Sequence, residues 1–383
     1  MATPICRQLG IDLPLFAFTH CRDVVVAVSK AGGIGVLGAA KFSPEELDQE
    51  LTWIDEHIGG RPYGVDILAP ATFEGQGTHT DADELRARIP QQHRAFVSDL
   101  LAEHGISSAP SDTTRPLVED GLGERLLEVA FAHPIALVAN ALGVPPDYML
   151  REAKKSGIPV AALVGAKEHA IKQARAGVDI IVAQGSEAGG HCGEVSTMVL
   201  VPEVVDAVAE IADIPVLAAG GIVTGRQMAA SIALGAQGVW TGSVWLTTEE
   251  AETAPATVAK FLAATSRDTV RSKARTGKYS RQLRSAWTDA WESPNAPSPL
   301  PMPLQGLLSE PALRHVDVVA ERGEAGAREL ATYWVGQGVG MMTKVSSAAD
   351  VVYDFAEDFA DAVERTNAAV ADEQPVGAGE LNR

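Results

Sequence analysis

Eight short apolar runs recur along the first 246 residues, nearly all followed by a stretch with helical spacing. The runs are Pro14–Phe18, Ile34–Leu37, Pro62–Leu68, Ile135–Ala139, Ile158–Leu163, Asp179–Ala183, Pro215–Ala219 and Gly238–Thr241. They are short and rich in aliphatic, largely β-branched residues, and turn residues close them, as expected of buried strands. Eight βα repeats in one chain predict an α/β fold, a (β/α)8 barrel over residues 1–246. An open doubly wound sheet is the competing topology, but no GxGxxG opens any of the helices.

The alternation breaks twice. After the third run, residues 69–116 form a long insertion with a loop-like Gly75–Thr80 and a charged helical stretch over Ala82–His104. That length exceeds an ordinary connection, so it reads as a lid or arm, or as a plain surface excursion. After Leu246 the period is lost, and residues 247–366 form a C-terminal extension with helical character at Glu249–Thr265, Ala325–Val335 and Ala349–Thr366. The stretch Arg267–Arg284 is locally basic, Ser293–Pro303 is proline-rich, and residues 367–383 read as a flexible tail. Trp287 and Trp291, one helical turn apart, read as packing.

A formal charge of −19 argues against nucleic acid or an anionic membrane surface as partner. Three cysteines, none in a CxxC pair, make no disulfide framework and point to a reducing cytoplasm. The N-terminus has no signal-peptide pattern, and no apolar run reaches membrane-spanning length. Oligomeric state is left open, a homo-oligomer being compatible with the composition.

Chemistry concentrates at the end of the sixth run. Ala183-Gln-Gly-Ser-Glu-Ala-Gly-Gly-His-Cys-Gly-Glu194 carries four glycines and one imidazole, and a helix is expected from Pro202 to Ile211 behind it. Glycines there let backbone approach a planar ligand, and His191 is the side chain that titrates near neutrality. Glu187 is either an orienting partner for the imidazole or an exposed carboxylate. Cys192 adjoins His191, but sequence neighbours commonly point apart, against a nucleophilic dyad. The seventh and eighth runs end in Gly220-Gly221 and Gly242-Ser243, where barrels commonly bind phosphate through backbone N–H groups. His20 and Cys21 lack further ligands at metal-site spacing, so no metal is expected. The basic residues Arg271, Lys273, Arg275, Lys278 and Arg281 suit an anionic substrate or, as the plainer reading, a solvated helix face.

Three of these stretches together, Lys30–Leu37, Ala183–His191 and Ala218–Ile222 followed by Leu234–Val239, resemble the nitronate monooxygenase family, formerly called 2-nitropropane dioxygenases. The likeness covers residues 4–67 and 135–246, and the C-terminal part more loosely. It implies an FMN-binding barrel in which His191 is the base and Gly220, Gly221, Gly242 and Ser243 hold the phosphate. Gln184, Gly189 and Gly190 would lie near the flavin ring. Ala17-Phe18-Thr19 corresponds to the family's Ala-Pro-Met segment, which lies against the flavin, with only the alanine kept, and His20 after it is a candidate substrate-pocket residue. Trp334–Val339 resembles the family's returning Gly-Gln segment, placing Gly336 and Gln337 at the pocket. The implied reaction oxidises alkyl nitronates or nitroalkanes with O2 to a carbonyl compound and nitrite. The alternative is an NAD(P)H-dependent quinone or enoyl-thioester reductase on the same barrel. A flavin-binding sensor without turnover is a third reading.

Overall fold

In a computed structural model, residues 3–69, 82–107, 119 and 121–371 are described. Eight parallel strands close into a barrel: β1 (Leu15–Thr19), β2 (Ile34–Gly38), β3 (Tyr63–Asp66), β4 (Leu137–Asn140), β5 (Val160–Val164), β6 (Ile180–Gln184), and, beyond a short strand β7 (Gly190–His191), β8 (Val216–Ala219) and β9 (Gly238–Thr241). β1 pairs with β9 at Ala17↔Thr241 and so closes the ring. Each predicted run contains one barrel strand, with ends shifted by a residue or two. The capping signature at Ser43 is a full capping box, with Ser43 Oγ accepting from Glu46 N and Glu46 Oε2 from Ser43 N.

Side-chain alternation separates the barrel's two faces. Phe16, Ile34, Val36, Leu137, Ala139, Ile180, Val182, Leu217, Ala219 and Trp240 fill the interior, with Ile5, Cys6 and Leu9 of the helix Pro4–Leu9 joining the same cluster. On β3, Tyr63 and Val65 pack outward against the surrounding helices. Gly64 and Asp66 therefore face inward, and Asp66 stands in register with Gly38 on β2 and Ala139 on β4. Asp66 is the one charged residue in the eight barrel strands.

The insertion and the C-terminal extension meet. Helices Ala82–Ala87 and Gln91–Glu103 pack on the helix Leu304–Glu321, sharing a cluster built from Leu85, Val97, Leu101, Trp287, Trp291, Leu308 and Val316. The single helical stretch expected over Ala82–His104 is broken at Pro90, whose ring cannot continue a helix. The loop Gly75–Thr80 lies outside the described residues, as do the ends of the insertion and the tail from residue 372. The tail's first residues continue the helix Ala348–Ala371. The helix expected from Pro202 starts earlier, at Thr197, with Pro202 inside it. The basic stretch is an antiparallel ribbon of β10 (Thr269–Ser272) and β11 (Ser280–Leu283), not a helix face. No helix among the described residues is long and apolar enough to cross a membrane.

Candidate active site

The loop after β6 leaves the barrel mouth and immediately pairs with the ribbon. β7 runs antiparallel to β11, with His191 opposite Ser280 and Gly190 opposite Arg281. This pairing fixes the imidazole, whose Nε2 lies 2.8 Å from Thr276 Oγ1. Thr276 Oγ1 also donates to Lys278 O at 3.3 Å. The short contact sets the ring against a hydroxyl able to accept from Nε2–H, the tautomer in which Nδ1 keeps its lone pair. Burial, with Lys278 nearby, pushes the His191 pKa down to about 4. The ring is neutral at ordinary pH.

The two glycine loops lie at the same end of the barrel. Gly220 and Gly221 have φ of +112° and +70°, backbone that favours glycine. Gln227 braces this turn: its Nε2 donates to Gly221 O at 2.7 Å while its Oε1 accepts from Val223 N at 2.8 Å. A Cβ placed at Gly242 would find its nearest neighbour, Phe18, 3.9 Å away, so that loop is open. Ser243 Oγ accepts from Gly336 N at 2.8 Å and keeps its own proton to donate.

The returning C-terminal segment ties the loops together. Gln337 N donates to Glu187 O at 2.9 Å, and Gly189 is packed so closely on Val335–Gly336 that a Cβ there would lie 2.8 Å from Gly336 N. Gly336 and Gln337 thus sit between the loops after β6 and β9. Gly190, at φ +74°, has open space where a side chain would be.

Across the mouth the residues divide by facing. Phe18 is inward beside Trp240, ring centroids 6.3 Å apart. Gln184 is inward at the end of β6 and makes no side-chain hydrogen bond among the described residues. Ala17, in contrast, packs outward with Val24 and Trp245, leaving only its backbone available to a ligand. Thr19 Oγ1 accepts from Cys21 N at 3.1 Å at the entry to the helix Arg22–Lys30. His20 leans against β2 with Nδ1 3.0 Å from Gly38 O, and burial lowers its pKa.

Several sequence readings resolve here. Glu187 does not orient the imidazole; it accepts from Thr197 N at 2.9 Å and from Thr197 Oγ1 at 3.0 Å, satisfying a free donor at the start of the helix Thr197–Ala209. Cys192 Sγ donates to Ser186 O at 3.6 Å, and burial raises its pKa, which favours the thiol over the thiolate. Cys21 Sγ donates to Glu250 O at 3.0 Å, which separates it from His20. Within the ribbon, Arg275 is buried and paired with Glu310 at 2.7 Å, and Arg281 Nε donates to Ser186 O at 2.9 Å. These two serve the protein itself, while Lys278 is exposed and Arg271 and Lys273 are partly so. Thr276 and Asp66 were not picked out as site residues by the sequence. A buried carboxylate in an otherwise uncharged set of strands is the signal that marks Asp66.

The sequence profile of the nitronate monooxygenase family matches residues 16–358. The Mycobacterium tuberculosis protein named "Putative monooxygenase Rv1533" is 56% identical over 372 residues, covering 95% of this chain and 98% of that one. Among solved structures, nitroalkane oxidase from Streptomyces ansochromogenes superposes with a TM-score of 0.76 at 25% identity, covering 94% of this chain and 99% of that one. FabK from Thermotoga maritima gives 0.71 at 25% identity, covering 96% and 99%. The match spans most of the chain, and with it this protein belongs to the nitronate monooxygenase family of flavin-dependent oxidoreductases.

Proposed function

We propose that the chain binds FMN and oxidises alkyl nitronates with O2 to a carbonyl compound and nitrite, His191 accepting the α-proton when the substrate is a neutral nitroalkane. The observation that carries this reading is the convergence of three loops on one mouth: the His191 loop, Gly220-Gly221 and Gly242-Ser243, joined through Gly336 and Gln337. The residues fit a phosphate-bearing planar group. The glycine turns expose backbone N–H groups, Ser243 Oγ has a proton to give, and Gly190 and Gly242 leave room. Phe18 and Gln184 would flank the ring. The flavin supplies the redox chemistry when bound. His191 presents Nδ1 as a neutral lone pair at every pH above about 4, and Thr276 fixes the tautomer. Its low basicity suits a nitronate, which arrives deprotonated, better than a nitroalkane, whose proton it must accept against that low pKa.

The test is anaerobic mixing of the purified yellow protein with a nitronate, NADH and NADPH in turn, following the flavin's visible band. Bleaching by the nitronate alone supports the monooxygenase. Bleaching by a pyridine nucleotide would instead support the reductase reading, which the likeness to FabK and the solvent-accessible cations Arg271, Lys273 and Lys278 of the ribbon and its turn keep in view. A colourless protein that takes up no flavin would overturn both.

A further inference from the structure

Asp66 is a polar group that the proposed reaction leaves without a task. Its side chain is 4% exposed, it faces into the mouth at the C-terminal end of β3, and its Oδ2 is enclosed with no hydrogen-bond partner. Its carboxyl makes no hydrogen bond to any described residue. Buried polar atoms are otherwise almost always satisfied, so an orphan at the end of a barrel strand asks for a ligand.

The surroundings decide the form of the carboxyl. Burial alone pushes its pKa up to about 7, and no charge of either sign acts on it. Its neighbours β2 and β4 carry no titratable side chain, and β1, β5, β6, β8 and β9 carry none either. Tyr63, on its own strand, points outward and donates to Asp55 Oδ1 at 2.7 Å. Lys41, just beyond β2, is paired with Glu252 at 3.3 Å, and His20 is turned to Gly38 O. A ring laid over the mouth would remove the remaining water. An ionised carboxylate enclosed without a cation is costly, whereas a neutral acid with an acceptor for its O–H is not.

We propose that Asp66 binds the flavin ring as a carboxylic acid, donating its proton in a hydrogen bond to an acceptor atom of the ring, so that cofactor affinity falls when Asp66 ionises. This rests on the flavin reading above. Because contact with an acceptor favours the protonated form, binding takes up a proton above pH 7. The dissociation constant then rises about tenfold per pH unit from 7 upward, until the bound form itself ionises.

The experiment measures flavin retention and the visible spectrum of the purified holoenzyme from pH 5.5 to 9, for wild type, Asp66→Asn and Asp66→Ala. The amide of Asp66→Asn still donates a hydrogen bond but does not titrate. Wild type is expected to lose affinity above neutrality with a one-proton spectral change, Asp66→Asn to bind without that dependence, and Asp66→Ala to bind weakly throughout. Should the variants fail to fold, carbon-13 NMR of aspartate-labelled wild type reads the same quantity: one carboxyl that stays protonated at pH 7 with flavin bound. A flat wild-type profile, or an Asp66→Asn profile equal to it, overturns the role of Asp66 while leaving the flavin in place. Failure to bind flavin at any pH overturns the cofactor reading as well.

Discussion

His191 Nε2 and Thr276 Oγ1 stand 2.8 Å apart across 85 residues of sequence, one from the loop after β6 and the other from the turn of the β10–β11 ribbon. The contact ties the tautomer of the imidazole to the folding of the C-terminal extension. Thr276→Val keeps the shape and removes the acceptor. Nδ1 is then no longer fixed as the lone pair, and turnover of neutral nitroalkanes should fall roughly tenfold or more, the scale of one lost orienting hydrogen bond. Turnover of preformed nitronates should change less. Equal losses on both substrates would show that Thr276 acts on binding and not on the proton.

His191→Asn removes the base while leaving a polar side chain. Flavin content should stay at the wild-type level, with nitroalkane turnover down on the order of a hundredfold, the lower end of general-base contributions. Steady-state kinetics on both substrate forms checks this, and unchanged nitroalkane turnover would remove His191 from the mechanism.

The Gly220–Gly221 turn is held by Gln227 and has no room for a side chain. A Cβ at Gly221 would lie 3.1 Å from Glu187 Cβ, at a φ of +70°. Gly221→Asp adds strain and a negative charge where a phosphate would sit, so the protein should purify without its yellow colour. Full flavin stoichiometry in that variant would place the phosphate elsewhere.

Strand positions were legible because each barrel strand is a short apolar run closed by turn residues, and the glycine loops because they follow such runs. The contacts that complete the site were not. Thr276 reaches His191 only through a ribbon whose basic residues suggested a solvated helix face, yet whose Arg275 is buried. Glu187 reads from the sequence as either a partner for His191 or an exposed carboxylate, and it is neither, because the helix behind it starts at Thr197 and takes the carboxylate for itself. Pairings between distant segments depend on tertiary packing, which local patterning does not encode.

Arg275 and Glu310 form a bidentate pair at 2.7 and 3.0 Å, with the guanidinium also over the Trp334 ring at 4.1 Å. The arginine is 3% exposed. Glu310→Gln leaves that cation without its counter-charge and should destabilise the fold by roughly 3–5 kcal/mol, read from denaturant melts. Because Arg275 adjoins Thr276, activity should fall before global unfolding. A loss under about 1 kcal/mol would mean that the Thr332 carbonyl and the aromatic faces suffice.

Asp66 and His191 pull the pH dependence of stability in opposite directions. Asp66 has a raised pKa, from 3.8 to about 7, so between those values the folded protein binds more protons than the unfolded chain, and stability is lost as pH rises through the window. His191 has a lowered pKa, from 6.5 to about 4, so the unfolded chain binds more protons there, and stability is lost as pH falls from 6.5 to 4. Each contribution is on the order of a few kcal/mol when fully developed, at about 1.4 kcal/mol per unit. In wild-type apoprotein the two largely cancel between pH 4 and 6.5. Asp66→Asn should therefore gain stability over wild type steadily from pH 4 to 7, whereas His191→Asn should gain on wild type as pH falls below 6.5. Denaturant titrations of flavin-free protein at four or five pH values give both difference curves. Parallel curves for Asp66→Asn and wild type would show that the Asp66 carboxyl is solvated in the folded state.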